Sequence, residues 1–587
     1  MCRECAEARM TSPARLHTLR GHAVRGHGSV RVLPALLVAI SLAVGLGACT
    51  GIPRDGVVHA GNDIAPDDNP APVFLPALPQ KDASTESILR GFIDASSSPE
   101  NNYDIARQFL TPAFRSSWDP TAGVTVDNGS GRTLTVIEDS ATLVAVTPLA
   151  EVDQSGEYRE VDASPVPLRY EFQQIGGQWR ISAAPNGTVI DENTFNDVFS
   201  AQPVYFYDPG FRFLVPDLRW FPRGASAPTK LVNAVLNGPS AWLDGAVATA
   251  FPEGSALTAD AVQVVRRRAM VDLNSEALNA DRQALQRMKA QLAASLPAGL
   301  SVEITIDQNS QAIDDLDAGA PLVDPRVDAR ALVLRGAEFG FLAATGQNVT
   351  VLDGLSDTIA QLDPSAVTLA SGQGVAAVLA NDGVYVVRAG DEPKLLDSRA
   401  GLLAPSIDND RFVWSVPAND PSALVVYSPA GEATVLTTPW PEATSITALK
   451  ISRDGARIIA LLGTGTETRF VVASITRTGA APTGIGAPVL LASGGGTGLD
   501  ATWIDELTVA SLSILPSGDT RIVAQQIGGV SSVLESPASS RFIVGSNSVR
   551  DLRTLTDTGN LEVQRGAGWQ ARIDGVTLLA TQQGIGG

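Results

Sequence analysis

The side chains able to do chemistry in this 587-residue chain are few, and most sit near its beginning. It has three cysteines, Cys2, Cys5 and Cys49, and four histidines, His17, His22, His27 and His59. A Ser-His-Asp or Cys-His site needs an imidazole inside a folded domain, and a zinc site of the common kinds needs thiolates or imidazoles. Beyond His59 the chain has neither, so both chemistries are excluded there. Carboxylates survive the exclusion: there are 63 Asp and Glu against 43 Lys and Arg, a net charge of −20. Two carboxylates alone can cleave a glycoside, but no pair is brought together by spacing. One basic run, Arg266-Arg267-Arg268, stands out against this acidity. It is a candidate contact for a partner, with a solvated loop as the alternative.

Cys49 ends the apolar run Val32 to Cys49, whose last residues are Leu46-Gly47-Ala48-Cys49. Arg15, Arg20, Arg25 and Arg31 precede the run, and no acidic residue falls between Met10 and Cys49. A basic n-region, an apolar h-region and small residues before the break make an export signal. The run is short for a bilayer span, contains Pro34 and lacks a following basic cluster, which argues against a transmembrane helix. The ending resembles the bacterial lipobox. That resemblance implies that the Cys49 thiol receives a diacylglyceryl group, that its amine is acylated, and that the mature protein is anchored by lipid on the extracytoplasmic face of the cell membrane. Met10 is an alternative start. The leader carries six arginines against Glu4 and Glu7, so what remains is more acidic than the whole. Such a surface argues against nucleic acid and against electrostatic adhesion to anionic lipid. No pattern calls for a cofactor or a metal.

A chain this long must divide into several cores. Residues 1–48 read as the signal and 49–84, rich in Pro, Gly, Asn and Asp, as lipidated cysteine and flexible tether. Residues 85–195 open with a helix bearing Ile88, Leu89, Phe92 and Ile93 on one face. Strands follow, with a hairpin turn at Gly176-Gly177, which makes an α+β module. Phe92, Trp118 and Trp179 read as core. The order of elements resembles NTF2-like or cystatin-like modules, whose cone can hold a ligand, but no polar constellation here points to that role. Residues 200–310 form a second α+β unit. It has a strand at Val204-Tyr205-Phe206-Tyr207, a helix stopped by Asn237-Gly238-Pro239, and a later helix. For that later helix Asn274 is the expected cap and Leu278, Leu285, Met288, Leu292 and Leu296 the expected face. Residues 311–326 read as a polar linker. From 327 to 587 short strands alternate with turns, and Ser406-Ile407-Asp408 through Val413 aligns with Ser452-Arg453-Asp454 through Ile459, with a diverged echo at Trp503 to Val509. A repeat of that length predicts a β-propeller of about six blades.

Val204-Tyr205-Phe206, Leu231, Leu236-Asn237-Gly238-Pro239, Phe251-Pro252-Glu253-Gly254-Ser255 and Val271-Asp272-Leu273 resemble a GerMN domain. Arg266-Arg267-Arg268 replaces the Asp-Gly-type turn usual in its hairpin; arginine resists the positive φ of a type I′ turn, which predicts a wider one. Together with Cys49-Thr50-Gly51-Ile52-Pro53 and Gly91-Phe92-Ile93-Asp94-Ala95-Ser96, this order of modules resembles the actinobacterial LpqB lipoprotein family. The resemblance implies a non-enzymatic accessory of a two-component sensor histidine kinase, an MtrB-like partner in an MtrAB-type system. It would act outside the membrane on envelope homeostasis and division, as a tethered rod of three modules. Two other readings stay open: a binder of cell-wall polymer, with Trp414, Trp440, Trp503 and Trp569 as candidate rim aromatics and core packing as the alternative for most of them, and a carboxylate hydrolase in the propeller funnel.

Overall fold

The computed structural model describes residues 76–316 and 319–584; Cys49, the leader and most of the tether lie outside the described residues. Ser84 starts the first helix, Thr85–Ser96, its hydroxyl accepting from the Ser87 amide at 3.2 Å. Capping of this kind satisfies a backbone donor that the helix itself cannot. Ile88, Leu89, Phe92 and Ile93 lie on the buried face, over a four-stranded antiparallel sheet. Its order is Thr133–Glu138, Ala141–Val146, Val166–Ile175, Gln178–Ala183. Ile175 pairs with Gln178, so Gly176 and Gly177 make the expected two-residue turn, with φ of 58° and 76°. Phe92 and Trp118 are core, with ring centroids 5.1 Å apart, and Trp179 packs on the cluster partly buried. A second sheet runs Tyr158–Glu160, Pro148–Asp153, Gly123–Asp127, Thr188–Asp191, its last pair parallel.

The next module pairs Phe199–Tyr207 with Leu214–Pro222 and then builds a sheet from Gln263–Val265, Arg268–Leu273, Ser301–Ile306 and Asn309–Ser310. Its two central strands are parallel, so a crossover must join them. The helix Arg282–Ser295 is that crossover, burying Met288 and Leu292. One expectation is corrected here. Asn274 precedes only a short 3₁₀ turn, Ser275–Asn279, and the helix is capped by Asp281, whose carboxylate accepts from the Ala284 amide at 2.7 Å. The tighter 3₁₀ winding takes Leu278 out of the helical phase, and it is exposed.

Among the described residues, the remainder forms one eight-stranded, one five-stranded and three four-stranded sheets; the eight-stranded one holds two blades, so six blades result, their inner strands neighbouring one another in a closed ring. The last strand, Val576–Gln582, pairs with Leu332–Arg335, so the two ends of the propeller share one blade and no open edge is left between them. Side chains fasten three of the inner strands to the next. The Thr368 hydroxyl donates to Pro405 O at 2.7 Å, Ser406 to Leu449 O at 2.8 Å, and Asp500 accepts from the Ile543 amide at 3.0 Å. The recurring aspartate has a plain role: its carboxylate accepts amides of the turn between first and second strands. Asp408 takes the Phe412 amide, Asp454 that of Ala456 and Asp505 those of Leu507 and Thr508. A short helix, Ser356–Gln361, interrupts the run of strands.

The expected rod is also corrected, because the described residues form one compact unit. The reason is the strand Leu214–Pro222, buried at every position. Leu214 and Phe221 enter the core of the second module, and Trp220 that of the first. The Trp220 indole donates to Gly528 O of the propeller at 2.9 Å. Gly528 holds φ +79° with Leu218 O against it, a position no side chain would suit. The 311–326 segment is bound too: Leu322 exchanges backbone hydrogen bonds with Arg212 and Leu214, and the Asp324 amide donates to Glu506. Glu506 also accepts from the Tyr205 hydroxyl at 2.6 Å. Burial holds the Glu506 carboxyl above the usual range, and hydrogen bonds to charged groups contribute about 1.5–3 kcal/mol. Tyr205→Phe is therefore expected to cost about 1.5–3 kcal/mol, measured by urea unfolding of the full chain. A shift below the reproducibility of the midpoint would show that this contact does not hold the modules together.

Candidate functional site

Two places outside the structural network could meet a partner or ligand. The first is the hairpin of Arg266, Arg267 and Arg268. Val265 pairs directly with Arg268, leaving Arg266 and Arg267 as a two-residue turn with φ of 52° and 61°. The wider turn expected from the sequence is thus not formed. Neighbouring bonds hold the tight one: Arg267 Nε donates to Gly299 O at 3.1 Å and Arg268 Nη1 to Glu303 at 2.9 Å, while Arg268 lies in register with Ser301. Arg266 is exposed and has no hydrogen bond or ion pair among the described residues. Beside it, Val264 and Val265 are exposed on an edge strand. A left-handed conformation costs an L-residue about 1–2 kcal/mol, so the turn keeps strain that glycine would release. Arg266→Gly is expected to stabilise by up to about 1 kcal/mol, glycine's greater unfolded-state entropy offsetting part of the relief. Arg266→Val should destabilise, because a β-branched residue fits this conformation worst. Paired urea midpoints check both signs.

The second place is a cleft of about 750 Å³ where the three modules meet. Its floor is Pro216, Asp217 and Leu218 from the shared strand. Phe92, Leu168, Tyr170 and Val189 of the first module form one apolar wall, and Leu490 of the propeller, exposed, and Ile527 form another. Most of its carboxylates are engaged. Buried Asp217 accepts from the Ser240 amide at 2.8 Å, its hydroxyl at 2.7 Å and Arg219 at 2.8 Å. Asp153 accepts from Ser155 and the Glu157 amide, Glu160 from the Ser531 amide at 2.8 Å, and Glu151 is 3.2 Å from Arg159. Glu157 is the most loosely held: its ion pair with Arg219 is 3.7 Å long, and burial pushes its carboxyl above the usual range against that pull. The sequence signalled none of this, because residues far apart in the chain supply the walls.

The propeller's buried carboxylates are architectural. Asp408 meets Arg477 at 2.7 Å and the Trp414 indole at 3.2 Å, and Asp500 accepts the Ala501 and Ile543 amides. Burial raises both carboxyls, without placing either opposite a second acid in these contacts. For the candidate rim tryptophans the core alternative holds. Trp414, Trp440 and Trp503 are buried, and half-buried Trp569 donates its indole to Glu535 O at 2.6 Å.

Three family models match in order: "Lipoprotein LpqB, N-terminal domain" over 78–196, "Sporulation and spore germination" over 203–312, and "Lipoprotein LpqB beta-propeller domain" over 340–578. Two α+β modules joined to a closed propeller define a multidomain protein of lipoprotein type. The chain belongs to the LpqB lipoprotein family. It is 26% identical to Lipoprotein LpqB of Mycobacterium ulcerans over 85% of this chain and 87% of that one. It is 26% identical to that of Cutibacterium acnes over 67% and 71%. Among solved structures, TolB from Acinetobacter baumannii aligns with a TM-score of 0.32 at 14% identity, covering 43% of this chain and 66% of that one.

Proposed function

We propose that this protein is a lipid-anchored, extracytoplasmic accessory of a sensor histidine kinase of MtrAB type, acting without catalysis in envelope homeostasis and division. Cys49 carries the anchor. What supports the reading is the LpqB module set, matched in order between residues 78 and 578, on relatives named as lipoproteins. The arginine hairpin is its contact point: a strained, unpaired arginine flanked by exposed valines, on a chain of net charge −20. Strain of this sort persists where the surrounding structure enforces it, and it clusters at working sites. A basic tip on an acidic body finds acidic partners and turns away basic ones. Tethering both proteins to one membrane raises their effective concentration, so a weak contact suffices.

The test is photocrosslinking in the native envelope from a benzophenone residue at Val264, followed by mass spectrometry. An adduct with the kinase's external domain is expected, and Arg266→Gly should remove it while leaving the fold intact. If adducts form but none contains the kinase, the partner assignment is wrong.

A further inference from the structure

We propose that the three-module cleft binds an alkylammonium group carried on an apolar stem. Five carboxylates and one guanidinium line the cleft, so an anion entering it meets net repulsion and a cation net attraction. All five already accept hydrogen bonds or pair with arginine, but Glu157 is held most loosely, 3.7 Å from Arg219 with 38% of its side chain exposed, and keeps acceptor capacity to spare. Tyr170 supplies an independent observation. It borders the cleft, it is 3% exposed, and its hydroxyl has no hydrogen-bond partner among the described residues. The residue is nearly all buried while its hydroxyl oxygen stays reachable, so that oxygen is free to accept a donor that enters the cleft. An ammonium has three donors and no acceptor. The Glu157 carboxylate and a tyrosine oxygen are acceptors of the kind it needs.

The rest of the cleft is apolar on opposing sides. Phe92 and Val189 face it from one module and Leu490, 68% exposed, from the propeller. A side chain of that size left in water on an edge strand is covered when an apolar stem enters. A volume of about 750 Å³ is in the range of small-molecule sites, which favour domain junctions with few convergent polar groups. This proposal does not rest on the kinase as partner.

The test is calorimetric titration of the full chain with octylammonium chloride below its micelle concentration, against octanoate and octanol. Octylammonium should bind saturably and at least tenfold tighter than octanoate or octanol. Glu157→Gln should weaken it about tenfold, the effect of about 1.4 kcal/mol, and Val435→Ser, exposed on a propeller strand that does not line the cleft, should not. A parallel titration with Nα-acetyl-lysine amide separates the sources: tighter octylammonium assigns the cleft to a free amphiphile, tighter lysine amide to another protein's side chain, and either supports the ammonium chemistry. Equal binding of octanoate, no effect of Glu157→Gln, or no saturable heat overturns the proposal.

Discussion

Asp454→Ala lowers the stability of the propeller by about 3–5 kcal/mol, the expected cost of leaving a buried charge uncompensated. Arg457 is fully buried and Asp454 is 4% exposed. Among the described residues Asp454 is the only carboxylate that Arg457 contacts. Its Nη2 also donates to Glu506 O at 2.7 Å, and its guanidinium lies 5.0 Å from the centre of the Trp503 ring. Nε and Nη1 have no hydrogen-bond partner among the described residues. Neither the single carbonyl nor the aromatic face can replace a full negative charge. Asp454 does a second job, accepting the Ala456 amide and the Ser452 hydroxyl, so its loss also frees the turn. The double variant Asp454→Ala/Arg457→Met removes the orphaned charge and should recover more than half of the loss. Unfolding midpoints from circular dichroism measure both. A single variant within about 1 kcal/mol of the native protein would mean that water reaches the guanidinium and that the pair is not truly interior.

That aspartate was legible in the sequence, and so was the propeller around it, for a local reason. Asp408, Asp454 and Asp505 each cap a turn within a few residues of themselves, so the pattern survives in any alignment of the repeats. The first helix was legible because Ser84 and the Ile88-to-Ile93 face lie within three turns. The strand Leu214–Pro222 was not. Pro216, Asp217 and Arg219 break both the alternation and the apolar run by which a strand is read. They are tolerated because Asp217 and Arg219 pair with each other and with Ser240 and Ser155 O. Burial by three modules is a property of the assembled chain, and so is the cleft above that strand. The arginine run was visible as a motif, but its turn geometry follows from the Val265–Arg268 pairing and the parallel register with Ser301, which composition cannot convey.

Arg477→Met is expected to destabilise by about 3–5 kcal/mol at neutral pH and by clearly less in acid. Arg477 meets Asp408 at 2.7 Å, with side-chain exposures of 6% and 0%. Methionine has much the same length, so packing is largely kept and the charge is what is lost. Burial already holds the Asp408 carboxyl above its ordinary range, and Arg477 is the chief influence opposing that rise. Without Arg477 the folded-state pKa climbs further, while the unfolded value stays near about 3.9. A folded pKa above the unfolded one means that the folded state takes up the proton more readily. The stability this provides is complete below the unfolded value and is lost as pH rises through the folded value. The variant's deficit should therefore be largest above that value and shrink as pH falls toward about 4. Protonated Asp408 can still accept the Phe412 amide and the Trp414 indole with one oxygen or the other, so the acid form needs no counter-ion. The loss should also reach the second module. Arg477 stands 3.8 Å from Asp410, which holds Arg212 through two bonds of 2.9 and 2.8 Å. Urea midpoints at pH 7.5 and pH 5 decide the matter: a deficit of the same size at both would assign the role of Arg477 to packing and not to its charge.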